Sequence, residues 1–127
     1  MLIDDDADEH EIFRGALSQT LLPIRYLFAF DCLSGIKLIN SDQISIPDFI
    51  FMDWQLGGIQ GMECLNNIKI AALEHSQLIV YSGLNLRKTR HDLNQHNCYV
   101  LQKSGSINDL ATNLKLILET GSARHHL

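Results

Sequence analysis

Five short apolar runs punctuate the chain, at residues 1–3, 24–30, 49–52, 78–81 and 98–101, and a longer amphipathic stretch follows each of them. Short buried runs alternating with segments of helical period are the pattern of a repeated βα unit built on a mainly parallel sheet. The runs predict strands β1 to β5. The stretches between them predict helices at about residues 8–21 (α1), 33–40 (α2), 62–74 (α3), 86–94 (α4) and 107–119 (α5). On α1, Ile12, Ala16 and Leu17 share a face, and the helix stops before Pro23. Leu33, Ile36 and Ile39 recur every three residues on α2, with Lys37 turned away, and α3 sets Cys64, Leu65, Ile68 and Ala72 at helical spacing. The fourth pattern is weaker, with Leu86 and Leu93 in register, whereas α5 carries Ile107, Leu110, Leu114, Ile117 and Leu118 on one side.

Right-handed crossovers and strands apolar on both faces call for helices on both sides of the sheet. The arrangement that satisfies them is an α/β fold with a doubly wound, five-stranded parallel sheet in the order 2-1-3-4-5, the flavodoxin-like (βα)5 topology. Residues 1–120 form that domain. Residues 121–127, with His125 and His126, read as a frayed tail that can include residues added for expression.

A chain of 127 residues has room for one core, which excludes a two-domain enzyme. Its 46% apolar and 20% charged residues are those of a soluble globular domain, and no apolar run approaches the ~18 residues of a membrane span. Neither a membrane partner nor export is expected, so the chain is placed in the cytoplasm. Cys32, Cys64 and Cys98 are odd in number and lack a CxxC spacing, which predicts reduced core thiols. The histidines show no zinc-ligand spacing and are expected in surface or capping roles.

Charge changes the picture through its location. Of fifteen acids, six (Asp4, Asp5, Asp6, Asp8, Glu9 and Glu11) fall within eight positions, and the remaining nine acids face ten bases. Arg87, Lys88 and Arg90 on α4 are too few for direct nucleic-acid binding and read as a solvated face. Asp6, Asp8 and Glu9 suit a helix start, where acids meet the positive end of the dipole. Asp4 and Asp5 stand instead at a strand end, as does Asp53, directly after the apolar run 49–52.

In such a sheet, ligands bind beyond the carboxyl ends of the strands, where the strand order reverses. Asp4 and Asp5, Asp53, Ser82 and Lys103 all belong to that edge. Three carboxylates in one pocket repel unless a cation joins them, and oxygen donors favour a hard ion, Mg²⁺ or Mn²⁺. Lys103 adds an ammonium and Ser82 a hydroxyl donor for a phosphoryl oxygen. The first βα turn lacks the glycines of a nucleotide loop, and Gly57-Gly58-Ile59-Gln60-Gly61 lacks the Lys-Ser/Thr that a phosphate loop needs.

Ile3-Asp4-Asp5-Asp6, Pro47-Asp48-Phe49-Ile50-Phe51-Met52-Asp53-Trp54, Gly61-Met62-Glu63-Cys64-Leu65, Val80-Tyr81-Ser82-Gly83 and Lys103 come in one order and spacing. Together they resemble the receiver domain of two-component response regulators, of the chemotaxis-regulator kind, over almost the whole chain. That resemblance implies that Asp53 accepts a phosphoryl group from the phosphohistidine of a histidine kinase or a histidine phosphotransfer protein. It implies that Asp4, Asp5, Asp53 and the backbone carbonyl of Gln55 hold the ion. Ser82 and Lys103 would contact the phosphoryl group, and a downstream protein would read the α4-β5-α5 face. Such a domain catalyses its own phosphotransfer and dephosphorylation and is a signalling phosphoacceptor rather than an enzyme with a separate substrate.

Other readings are an aspartyl-phosphate hydrolase, which would carry a second acid where Gln55 stands, and a receiver-like interaction module that is never phosphorylated. Three positions depart from the family pattern. Ser104 follows the lysine in place of proline, Gly57 replaces the loop proline, and Val100 stands where the aromatic switch residue falls, with Tyr99 one place earlier. On strict alternation Tyr99 shares a face with Lys103 and Val100 lies on the other, so only a bulge would put Tyr99 in the switch position.

Overall fold

The computed structural model describes residues 1–55, 61–83, 93 and 98–120. Among them, five strands and four helices follow in chain order: β1 (Leu2–Ile3), α1 (Ala7–Gln19), β2 (Phe28–Ala29), α2 (Cys32–Asn40), β3 (Phe49–Met52), α3 (Gly61–Ala71), β4 (Gln77–Ser82), β5 (Cys98–Gln102) and α5 (Ile107–Thr120). The expected α4, its basic patch and the tail 121–127 lie outside the described residues. All strand pairs are parallel, and the sheet order is β2-β1-β3-β4-β5, as the alternating pattern predicts.

The period-two alternation of each strand divides the core. Ile3, Ile50, Met52, Leu78, Val80, Cys98 and Val100 meet α2 and α3 on one face, while Leu2, Phe51, Ile79, Tyr81, Tyr99 and Leu101 meet α1 and α5 on the other. Register runs unbroken from Leu78↔Cys98 to Ser82↔Gln102. No bulge shifts β5, so Val100 stays on the α3 face and Tyr99 on the α5 face.

Two helix stripes are rotated from their predicted phase. On α1, His10, Phe13, Ala16 and Leu17 are buried, and Ile12 is 41% exposed. Phe13 takes the inward place because its ring packs edge-on against Phe51 and Tyr81, area that Ile12 cannot supply. On α2, Cys32, Gly35 and Ile39 face inward and Leu33 is 61% exposed. Gly35 sits so close to β1 that an added Cβ would lie 2.7 Å from Ile3 Cδ1, so the helix turns its smallest face to the sheet. β2 keeps only two of the seven positions 24–30, because its sole neighbour β1 offers two residues to pair with. At its end α3 gives way to Leu73 and Glu74, both in the left-handed region at φ 51° and 57°.

The expectation of three reduced thiols is corrected. Cys32 and Cys64 form a disulfide, with Cα atoms 6.0 Å apart, and Cys98 is the free, buried thiol. Their separation of 32 residues hides a contact made by packing the start of α2 on the first turns of α3. A crosslink closing a loop of that length is worth about 3–4 kcal/mol in the chain-entropy account. Protein prepared and denatured without reductant should therefore present one reactive thiol of three. Reduction should release two more and lower the melting temperature; three thiols before reduction would contradict the pairing.

Candidate functional site

The strand ladder continues one residue beyond three strand ends and fixes the backbone of the site. Asp4 N–H donates to Ala29 O (3.1 Å), Asp53 N–H to Ile3 O (3.0 Å) and Lys103 N–H to Ser82 O (2.8 Å). The four sequence-predicted side chains Asp4, Asp5, Asp53 and Lys103 thus gather at the carboxyl edge, with Ser82, buried, as the last residue of β4. Asp6 behaves as the sequence suggests: it caps α1, and its carboxylate accepts from Asp8 N–H at 2.9 Å. Gln55 is exposed, and its N–H donates to Asp53 Oδ1 at 3.2 Å.

Asp4 is wholly buried. One carboxylate oxygen accepts from Asp6 N–H (2.9 Å) and the other from Lys103 Nζ (3.1 Å). The same ammonium lies 3.8 Å from Glu9 Oε1 and 3.9 Å from Asp53 Oδ2, and 5.0 Å from the centre of the Tyr81 ring. Burial works against the charge on Lys103, but Asp4, then Asp53 and Glu9, outweigh it and hold its pKa above the ordinary lysine value. Burial raises the Asp53 carboxyl; the Gln55 N–H and Lys103 pull it back, and Asp4 and Asp5 add to the rise. Glu9 is likewise raised, first by burial.

Glu9 and His10 are the residues the sequence reading assigned elsewhere. Glu9 looked like a dipole acid, yet from the first turn of α1 its carboxylate reaches within 3.8 Å of Lys103 Nζ. His10 is corrected from a surface role to a buried one at 5% exposure. Its Nε2 lies 2.7 Å from Asp4 O, and because a carbonyl only accepts, Nε2 carries the proton. In the neutral ring Nδ1 then accepts from Tyr26 Oη at 2.8 Å, and Phe28 and Phe30 pack around the imidazole. The ring thereby pins the turn that bears Asp4 and Asp5. Trp54, next after Asp53, packs against the core on the α3 face, and its ring would meet a Cβ on Gly61 at 2.8 Å.

Carboxylate oxygens of Asp4, Asp5 and Asp53 fall within 4.8 Å of one another. All three are hard oxygen donors, and Asp5 is open to solvent, so the set fits a small divalent ion that keeps part of its water shell.

The raised carboxyl pKa values have a stability consequence. A folded state that holds protons more tightly than the unfolded chain loses stability as pH rises through the folded pKa. In EDTA, the contribution of Asp53 and Glu9 to stability should fall as pH rises out of the ordinary carboxylate range. Asp53→Asn should melt higher than the parent above that range, because it removes a carboxylate whose charge burial disfavours. A parent that melts as high as Asp53→Asn would contradict the raised Asp53 carboxyl.

No family model and no curated protein matches the sequence. Solved structures do. A phosphorylated cyanobacterial phytochrome response regulator, RcpA, is 26% identical with a TM-score of 0.74, over 93% of this chain and 89% of that one. The receiver domain of NtrX from Brucella abortus is 24% identical with a TM-score of 0.73, over 94% and 97%. A response regulator receiver domain from Clostridium thermocellum is 20% identical with a TM-score of 0.72, over 94% of both chains. The chain has the fold of the response regulator receiver domains.

Proposed function

We propose that this chain is a phosphoacceptor receiver that takes a phosphoryl group from a histidine kinase or a histidine phosphotransfer protein onto Asp53. The observation that carries this reading is the meeting of Asp4, Asp5 and Asp53 within 4.8 Å, beside the Lys103 ammonium, at the carboxyl edge of the sheet. A carboxylate oxygen of Asp53 attacks phosphorus. The N–P bond of the phosphohistidine breaks, the imidazole leaves with its electron pair and takes a proton from water, and an acyl phosphate remains. Hydrolysis of that acyl phosphate by water returns the carboxylate. Asp4, Asp5, Asp53 and the Gln55 carbonyl would hold Mg²⁺ or Mn²⁺, which would supply the charge that offsets the acids when a phosphate approaches.

Lys103 stands beside Asp53 at 3.9 Å, near enough to turn from Asp4 toward a new phosphoryl oxygen. Ser82, at the end of the neighbouring strand, offers its hydroxyl to another. The exposed amide side chain at position 55 lacks the acid that a separate aspartyl-phosphate hydrolase would use, which favours a signalling role. The similarity to a response regulator crystallised in its phosphorylated form supports the same reading.

The output passes to a downstream protein through the α4-β5-α5 face. On β5, Val100 faces the core that contains Val80 and Leu93, while Tyr99 lies on the α5 side. This placement supports Val100 rather than Tyr99 as the switch residue. These roles fit a chain acting in the cytoplasm without membrane or nucleic-acid contact of its own, and no helix among the described residues is long and apolar enough to cross a membrane.

Incubation with acetyl phosphate and Mg²⁺ should add one phosphoryl group by intact mass, and Asp53→Asn should add none. Labelling that persists in Asp53→Asn would assign the acceptor elsewhere.

A further inference from the structure

Cys32 is the first residue of α2, which follows β2, and Cys64 lies in the first turn of α3, which follows β3. In a parallel βα sheet both helix starts fall at the carboxyl edge, so the Cys32–Cys64 bond shares that edge with the acidic cluster. A chain of 127 residues with a core on both sheet faces is large enough to fold without the staple that very small domains need. The bond also lies at the rim of the fold. β2 is an edge strand, and Asp31 and Leu33, on either side of Cys32, are exposed. Opening one turn of the nine-residue α2 would bare the Cys32 sulfur, whereas Cys64 has no exposed surface.

A line of contacts runs from Cys64 to Asp53. Gly61, at the head of the same helical turn, packs so closely on Trp54 that an added Cβ would lie 2.8 Å from the ring and 3.0 Å from the carbonyl oxygen. Trp54 also packs against the cluster that contains Cys32 and Cys64. It is flanked by Asp53 and Gln55, and the Gln55 N–H donates to Asp53 Oδ1 at 3.2 Å. Bonded sulfurs stand about 2 Å apart, whereas non-bonded heavy atoms in contact need about 3.5–4 Å. Two thiols in place of the bond therefore require α2 and α3 to move at their starts, and α3 cannot do so without moving Trp54.

We propose that Cys32–Cys64 is a reversible thiol–disulfide site for a dithiol reductant, and that its state passes through the first turn of α3 and Trp54 to Asp53. A thiolate of the reductant attacks Cys32 Sγ and the S–S bond breaks. Cys64 leaves with the electron pair, in a helical turn whose unpaired N–H groups favour an anion, and takes a proton. The second thiol of the reductant then displaces Cys32 as its thiolate, which is protonated in turn. Two electrons and two protons pass to the pair, and the reductant ends as a disulfide; exchange with an oxidised dithiol restores the bond. The oxidised pair pins α3 and holds Gln55 ready beside Asp53, and reduction loosens both. As a control on phosphorylation, this inference rests on the phosphoacceptor reading of Asp53.

The test uses the full chain, without denaturant, in buffers of reduced and oxidised dithiothreitol. Samples quenched in acid, denatured and alkylated should pass reversibly between one thiol and three by intact mass. The emission of Trp54, the sole tryptophan, should change in step, and amide exchange at Gln55 and Leu65 should quicken about tenfold on reduction. Cys64→Ser should match the reduced parent in either buffer. A bond that yields to dithiothreitol only after denaturation would overturn the proposal, as would a reduction that leaves Trp54 and these amides unchanged. Acetyl phosphate with Mg²⁺ should label the reduced chain about threefold more slowly than the oxidised one; equal rates would overturn the link to Asp53. No labelling in either state, with the Trp54 response intact, would sink the phosphoacceptor reading and leave the thiol–disulfide site standing.

Discussion

The ammonium of Lys103 stands 3.1, 3.8 and 3.9 Å from carboxylates of Asp4, Glu9 and Asp53, and the organisation of the carboxyl edge turns on that one cation. Asp4 has no exposed surface, so its charge is tolerable only because the Asp6 N–H and Lys103 divide its two oxygens between them. One positive group cannot neutralise Asp4, Asp5, Glu9 and Asp53 together. Among the described residues the cluster is left short of positive charge; burial first, and then the neighbouring acids, make Asp53 and Glu9 hold protons more tightly than free side chains do. A pocket built this way is poised to accept a cation and, once its charge is offset, an anion.

Rigid anchoring makes that crowding sustainable. Ladder bonds hold the backbones of Asp4, Asp53 and Lys103 to neighbouring strands, so repulsion between the side chains cannot be relieved by moving the chain. His10 adds a brace from α1, closing the Asp4 carbonyl and the Tyr26 hydroxyl into one hydrogen-bonded line under Phe28 and Phe30. The two halves of the core support this edge separately, through α2 and α3 on one face and α1 and α5 on the other.

Strand number, order and the gathering of Asp4, Asp5, Asp53 and Lys103 were legible in the sequence, because apolar runs and strand-end acids are properties of single segments. Ile12 and Leu33 were misplaced because helix phase was judged from the spacing of large apolar residues. The sheet instead selected Phe13, for its contacts with Phe51 and Tyr81, and Gly35, for its closeness to Ile3. The Cys32–Cys64 bond and the burial of His10 arise between segments far apart in the chain, and no local pattern carries them. The approach of Glu9 to Lys103 likewise joins distant segments, and the helix-dipole reading could not show it. Tyr99 and Val100 needed only strict alternation, and β5 keeps it.

Magnesium linkage tests the charge deficit at this edge most directly. Thermal melts of the parent chain and of Asp5→Ala, in EDTA and across rising Mg²⁺ at fixed ionic strength, would measure it. The account predicts that the parent gains stability with the logarithm of Mg²⁺ once binding saturates, and that Asp5→Ala, which removes the solvent-facing ligand, loses most of that gain. A parent chain whose melting temperature is the same in EDTA and in excess Mg²⁺ would contradict it.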